Sequence, residues 1–125
     1  MAHISKYDIQ ALALATRVAH KGNMRHRHGA VIYRKAKILS SGFNKEHPWG
    51  EMYYEFPYLH AEYSAILRSR IDVKNYDIAI VRLGQKNSNL LLSKPCKDCM
   101  RLLKDNGIRY IVYSTNGNIH KIKIN

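Results

Sequence analysis

The chain has 125 residues, 46% of them hydrophobic, which suits a single globular domain spanning residues 1–125 with a real core. Twenty-one Lys and Arg against nine Asp and Glu give a net charge of +12, so anionic partners such as phosphates, nucleotides or nucleic acid are expected. No stretch approaches the roughly 20 apolar residues of a membrane span, and Met1 to Gln10 mixes His3, Lys6 and Asp8 in place of an apolar signal core, so a cytoplasmic location is expected.

Ser5 and Asp8 can cap a helix whose apolar residues Ile9, Leu12, Ala13, Ala15, Val18 and Ala19 recur at helical spacing up to His20. The basic stretch Lys21 to Gly29 reads as a loop. Ala30 to Tyr33 and Ile38 to Asn44 then form a hairpin around Arg34 to Lys37. Lys45 to Leu59 carries Pro48, Gly50 and Pro57 among Trp49, Tyr53, Tyr54, Phe56 and Tyr58, which predicts a long aromatic loop.

A second helix is predicted over His60 to Arg70, with a basic C-terminal end suited to the helix dipole. Asp77 to Leu83 follows as a strand buried on both faces, then a loop from Gly84 to Asn89. Pro95 opens a third helix that stops at Asn106-Gly107. Ile108 to Ser114 and Ile119 to Ile124 flank the turn Thr115-Asn116-Gly117-Asn118 and predict a closing β-hairpin. The sum is an α/β architecture in three layers: a five-stranded mixed sheet with about three helices, parallel neighbours arising from the helical crossovers and antiparallel ones from the hairpins.

Cys96 and Cys99 are the only cysteines, too few and too close for a disulfide framework. A Cys-x-x-Cys pair so late in the chain favours metal over thioredoxin-like redox chemistry. In Pro95-Cys96-Lys97-Asp98-Cys99 the thiols fall on one side of a helix N-terminus, where amide donors and the dipole favour thiolate. Two thiolates need at least one further ligand for zinc, and His60 is the best candidate, because it also starts a helix and Glu62 follows two residues later. Three protein ligands leave a position for water, whose pKa zinc lowers from roughly 15.7 to about 7, with Glu62 as the proton carrier. The alternatives are a structural zinc with a fourth ligand from His26, His28, His47 or His120, and no metal at all.

With His60-Ala61-Glu62 and Pro95-Cys96-Lys97-Asp98-Cys99 in this order, the chain resembles the cytidine deaminase superfamily over nearly its whole length, including Gly29-Ala30-Val31-Ile32 and Ser41-Gly42-Phe43-Asn44. The resemblance implies one Zn2+ per chain and hydrolytic deamination of cytosine to uracil, with Glu62 catalytic and His60, Cys96 and Cys99 as metal ligands. It also implies that Asn44 contacts the substrate sugar and that the backbone at Ala61 and around Ser93 to Cys96 reads the base edge. One or two rings of the aromatic loop, Tyr58 among them, are expected to stack on the base or close the pocket.

A final hairpin, with no room for an inserted helix, resembles the enzymes of free nucleosides, so a free (deoxy)cytidine nucleotide or nucleoside is the first expectation and a role in nucleotide metabolism follows. The charge pulls towards a phosphate-bearing substrate, with Arg25, Arg27, Lys45 and Lys94 near the expected mouth, and keeps an editing activity on single-stranded DNA or RNA as the alternative. A non-catalytic basic nucleic-acid-binding module on the same fold is a further alternative, which the intact His60, Glu62, Cys96 and Cys99 oppose. No additional His/Cys set suggests an effector zinc site, and a homo-oligomer is expected from the family and from the aromatic loop.

Overall fold

The computed structural model describes residues 2–22, 26–46, 58–84 and 89–125. Helix α1 (Lys6–Ala19) begins where the sequence predicts: the Ser5 hydroxyl accepts from the Asp8 N–H, and the Asp8 carboxylate accepts from the Ser5 N–H. Strands β1 (Arg27–Arg34) and β2 (Lys37–Phe43) form the expected hairpin. Two short strands follow, β3 (Lys45–Glu46) and β4 (Tyr58–Leu59), which pair with each other. The loop expected over Lys45 to Leu59 therefore has paired strands at its two ends, and its residues 47–57 lie outside the described residues, as does the Tyr58 side chain.

The remaining elements are α2 (Ala61–Ser69), β5 (Asp77–Leu83), β6 (Leu90–Leu91), α3 (Lys97–Asp105), β7 (Tyr110–Ser114) and β8 (Ile119–Lys123). The main sheet runs β2-β1-β5-β7-β8, with β6 pairing the far end of β5 beyond the reach of β7. It therefore has six strands against the five expected from sequence. A two-residue strand such as Leu90–Leu91 is too short to leave an alternating pattern, so only its pairing with Arg82 and Leu83 reveals it.

The sheet is mixed, as expected, but only β5 and β7 are parallel neighbours. The first helical crossover does not place β5 beside β2. It passes over β1, which pairs antiparallel with both, so β2 and β5 run in the same sense two lanes apart.

Strand alternation divides the core in two. Ala30, Ile32, Ile78, Ile80, Ile111 and Tyr113 point to the face covered by α2 and α3, where Ala61, Ala65 and Leu103 meet them. Val31, Tyr33, Ala79, Val81 and Val112 point to the other face, against Ala11, Leu12, Ala15 and Ala19 of α1. Every residue of β5 except Arg82 is buried, as its run of apolar residues predicts.

Two glycines set how closely the helices approach. A Cβ on Gly29 would collide with the Ala15 carbonyl of α1, and one on Gly42 would stand 2.5 Å from the Ala65 nitrogen and 2.8 Å from the Ala61 carbonyl of α2. The α2 backbone thus lies directly on β2, and the Ser40 hydroxyl fastens it by donating to the Ala65 carbonyl at 2.8 Å. On the α1 face, buried Asp8 accepts from Tyr33 Oη at 2.6 Å and from Lys121 Nζ at 2.8 Å, tying α1 to β1 and β8.

Burial raises the Asp8 pKa, but the bonds from Lys121, Tyr33 and Ser5 outweigh it and leave the pKa below the usual carboxylate value. A lowered native pKa means the stabilisation is complete above the unfolded-state value and is lost as pH falls through the native one. Asp8→Asn is expected to destabilise the protein by about 1–3 kcal/mol at neutral pH, since it strands Lys121 and weakens the Tyr33 bond. Urea melts at neutral and acidic pH should show the difference from wild type shrinking as pH drops. Gly42→Val is expected to lower the melting temperature and, because α2 must shift, to weaken metal binding measured on the same sample.

Candidate active site

Helices α2 and α3 both present their N-termini at the same end of the sheet. His60 is the N-cap of α2, with extended backbone (φ −69°, ψ 152°) and no side-chain bond to the helix, so its ring is not used in capping. Cys96 is the N-cap of α3, and its sulfur accepts from the Cys99 N–H at 3.4 Å. The Cys-x-x-Cys spacing thereby puts Cys99 one turn along on the same side, as the sequence predicts.

His60 Nδ1 lies 3.2 Å from Cys99 Sγ and 3.8 Å from Cys96 Sγ. Zinc bound tetrahedrally at about 2.3 Å to sulfur and about 2.0 Å to nitrogen spaces such donors roughly 3.5–3.8 Å apart. Donor atoms of His60, Cys96 and Cys99 all fall within 4.8 Å of one another, so the set fits a metal ion in both chemistry and spacing. Among the described residues this cluster has three donors, the number that leaves a coordination position open for chemistry.

The proposed sources of a fourth ligand are engaged elsewhere or lie outside the described residues. His26 Nδ1 faces Arg82 Nη2 at 3.1 Å, the His120 ring stacks on Tyr113, and His47 falls outside the described residues. His28 is not part of the donor cluster, and burial, with the charges of Arg82, His60 and His26, lowers its pKa to about 4.

Glu62 lies in the first turn of α2 and is only 5% exposed. Its carboxyl meets the Cys99 thiol, and burial raises its pKa even though its own backbone N–H, Cys99 and His60 pull the other way. Cys99 is pushed strongly up by burial and by Glu62 and Cys96 beside it. Burial and the neighbouring Glu62 carboxyl keep the Cys99 thiol protonated, and a metal ion is the partner that would deprotonate it.

The other residues named from sequence fall into two groups. Ala61 is buried at the start of α2, between His60 and Glu62. Ser93 is buried as well, but its N–H donates to the Ser114 carbonyl at 2.9 Å and its hydroxyl bonds the Ile80 carbonyl at 2.8 Å and Ser114 Oγ at 2.9 Å. These bonds hold in place the segment that leads to Cys96. Asn44 brackets the start of β1, its Oδ1 accepting from the His28 N–H at 2.7 Å and its Nδ2 donating to the His26 carbonyl.

Of the cations expected at the mouth, Lys94 is exposed and Lys45 lies over the Phe43 ring. Arg27 donates to the Gly84 carbonyl at 3.0 Å, and Arg25 lies outside the described residues. Sequence reasoning passed over Ser114 and Arg82. Both sit within strands that read as core, and only the pairing of β5 with β1 and β6 brings Arg82 beside the histidines.

Substitution of Cys99 or His60 by Ser or Ala is expected to abolish stoichiometric zinc binding. In cobalt-loaded protein it should also remove the visible bands of a tetrahedral thiolate site, which wild type should show.

Residues 4–115 match the model of the cytidine and deoxycytidylate deaminase zinc-binding region. No curated protein sequence matches the chain. Among solved structures, dCMP deaminase of cyanophage S-TIM5 in complex with dCMP and dUMP superposes with a TM-score of 0.65 at 21% identity, covering 89% of this chain and 83% of that one. Cytidine deaminase of Burkholderia pseudomallei gives 0.69 at 16% identity, covering 99% and 94%. Cytidine deaminase of Mycobacterium leprae gives 0.61 at 18% identity, covering 94% of each. At these identities the superpositions speak for the fold, whereas the family match takes in both halves of the His60, Cys96 and Cys99 cluster. The chain belongs to the cytidine and deoxycytidylate deaminase family and is a zinc-type deaminase.

Proposed function

We propose that residues 1–125 act as one catalytic domain that hydrolyses the amine of cytosine in a free (deoxy)cytidine nucleotide or nucleoside, giving the uracil product and ammonia. The observation that carries this reading is the buried Glu62 carboxyl set against Cys99 in a three-donor cluster. His60, Cys96 and Cys99 would hold zinc, which when bound supplies the Lewis acidity that makes hydroxide available at neutral pH.

Glu62 then moves two protons in turn. It takes one from the attacking water and passes it to the ring nitrogen beside the amine-bearing carbon, then takes the second from the hydroxyl now on that carbon and delivers it to the amine as the carbon–nitrogen bond breaks and the carbonyl forms. Burial raises its pKa, which favours a group that must release a proton as readily as it accepts one. The α2 N-terminus at Ala61 and the segment from Ser93 to Cys96 frame the base, while Asn44, fixed at the start of β1, is the candidate for the sugar. A ring at Tyr58 is the candidate for stacking.

A second reading, deamination within single-stranded DNA or RNA, draws on the net charge of +12. Closure of the sheet by the β7–β8 hairpin favours the small substrates. Exposed Leu67 and Ile71 offer apolar surface to a homo-oligomer, and the thiol ligands suit a reducing, cytoplasmic setting.

Ammonia release should follow addition of cytidine, deoxycytidine, CMP or dCMP to zinc-loaded protein. Glu62→Gln should lower the rate by about a hundredfold to ten-thousandfold while zinc stays bound. Full activity in that variant would rule out the proton-carrier role. Activity confined to a cytosine-containing oligonucleotide would favour the second reading.

A further inference from the structure

Among the described residues the sheet holds a half-buried cation, Arg82, for which no counter-ion is present. Arg82 stands on β5 directly across from His28 of β1, two residues beyond the Ala30 and Ile80 pair, so by alternation it faces the α2–α3 side. Its Nη2 meets His26 Nδ1 at 3.1 Å, and its Nε is buried with no hydrogen-bond partner among the described residues. Arg109 pairs with Asp77 and Lys121 with Asp8, but no described carboxylate pairs with Arg82.

A half-buried guanidinium flanked by two imidazoles loses hydration and finds no negative partner among the described residues, which is costly unless an anion completes the site. Its planar fork suits two oxygens of one phosphate. His28 and Arg82 lie two residues along their strands from Ala30 and Ile80, which pack in one core cluster with Ala61 next to His60, so this cation stands on the face of the sheet that carries the donor cluster.

We propose that Arg82, with His26 and His28 beside it, holds the phosphate of a nucleoside monophosphate whose base lies at the His60–Glu62 cluster, so that the enzyme selects nucleotide over nucleoside. The base end of this inference rests on the deaminase reading above. The phosphate end rests on Arg82 and the histidines beside it and favours a terminal monoester, because a strand needs a track of cations, whereas neighbouring Arg27 is turned to the Gly84 carbonyl.

The test uses the metal-loaded full chain with dCMP, deoxycytidine and a cytosine-containing oligonucleotide as substrates, and with dUMP and deoxyuridine as calorimetric ligands. Wild type should favour dCMP. In Arg82→Met the ratio of kcat/KM for dCMP to that for deoxycytidine should fall by about tenfold to a hundredfold, with a similar loss in dUMP affinity relative to deoxyuridine. His26→Gln, at an exposed position, should lower the same ratios by about threefold to tenfold and serves if Arg82→Met does not fold. Unchanged ratios in the folded variants, or a loss confined to the oligonucleotide, would overturn the proposal. If no substrate is deaminated yet dUMP binding still depends on Arg82, the phosphate site stands and the deaminase reading falls.

Discussion

The site depends on crowding that the polypeptide alone does not resolve. Two thiols, an imidazole and a buried carboxyl converge from two helix N-termini that lie far apart in the chain. The helix ends supply partial positive charge, but that falls short of what two thiolates and the buried Glu62 carboxylate require, even with His60 and Cys96 open to solvent. A divalent cation meets that demand. The fold is therefore organised to bring acids together, and the metal is what makes the arrangement electrostatically tolerable.

Holding α2 and α3 in place falls to groups away from the chemistry. Gly42 lets the α2 backbone settle on β2, so His60 and Glu62 are carried on a helix whose height above the sheet is fixed by backbone contact. Ser93 and Ser114 do the same for the strand-to-helix connection before Cys96, joining it to β5 and β7 by buried hydroxyl bonds. Rigid support of this kind keeps donors within the few tenths of an ångström that a tetrahedral ion tolerates.

The helices, both hairpins and the metal set could all be read from the residues, because each has a local cause. Ser5 and Asp8 cap, Asn116-Gly117 turns, and a thiol pair at one-turn spacing has few uses beyond metal. The route of the first crossover was not legible, since whether β5 lands beside β2 or beyond it depends on which strand β1 prefers as its second neighbour, a matter of tertiary packing. The pairing of Leu90–Leu91 escaped for want of length. Arg82 escaped for a different reason: one charged residue in an apolar strand reads as an outward-facing exception, and only cross-strand register shows what it faces.

The Asp8 network also bears on how the chain reaches its final form. Asp8 lies in the first turn of the first helix, and Lys121, the cation that neutralises it, is in the last strand. During synthesis α1 and the first hairpin can form early, but they do so with a carboxylate at the α1–sheet contact whose counter-charge has not yet been made. Docking of α1 is then incomplete until β8 emerges and adds to the sheet edge. A contact that spans 113 residues of sequence closes late, because the loop between its partners must be ordered before the pair can form.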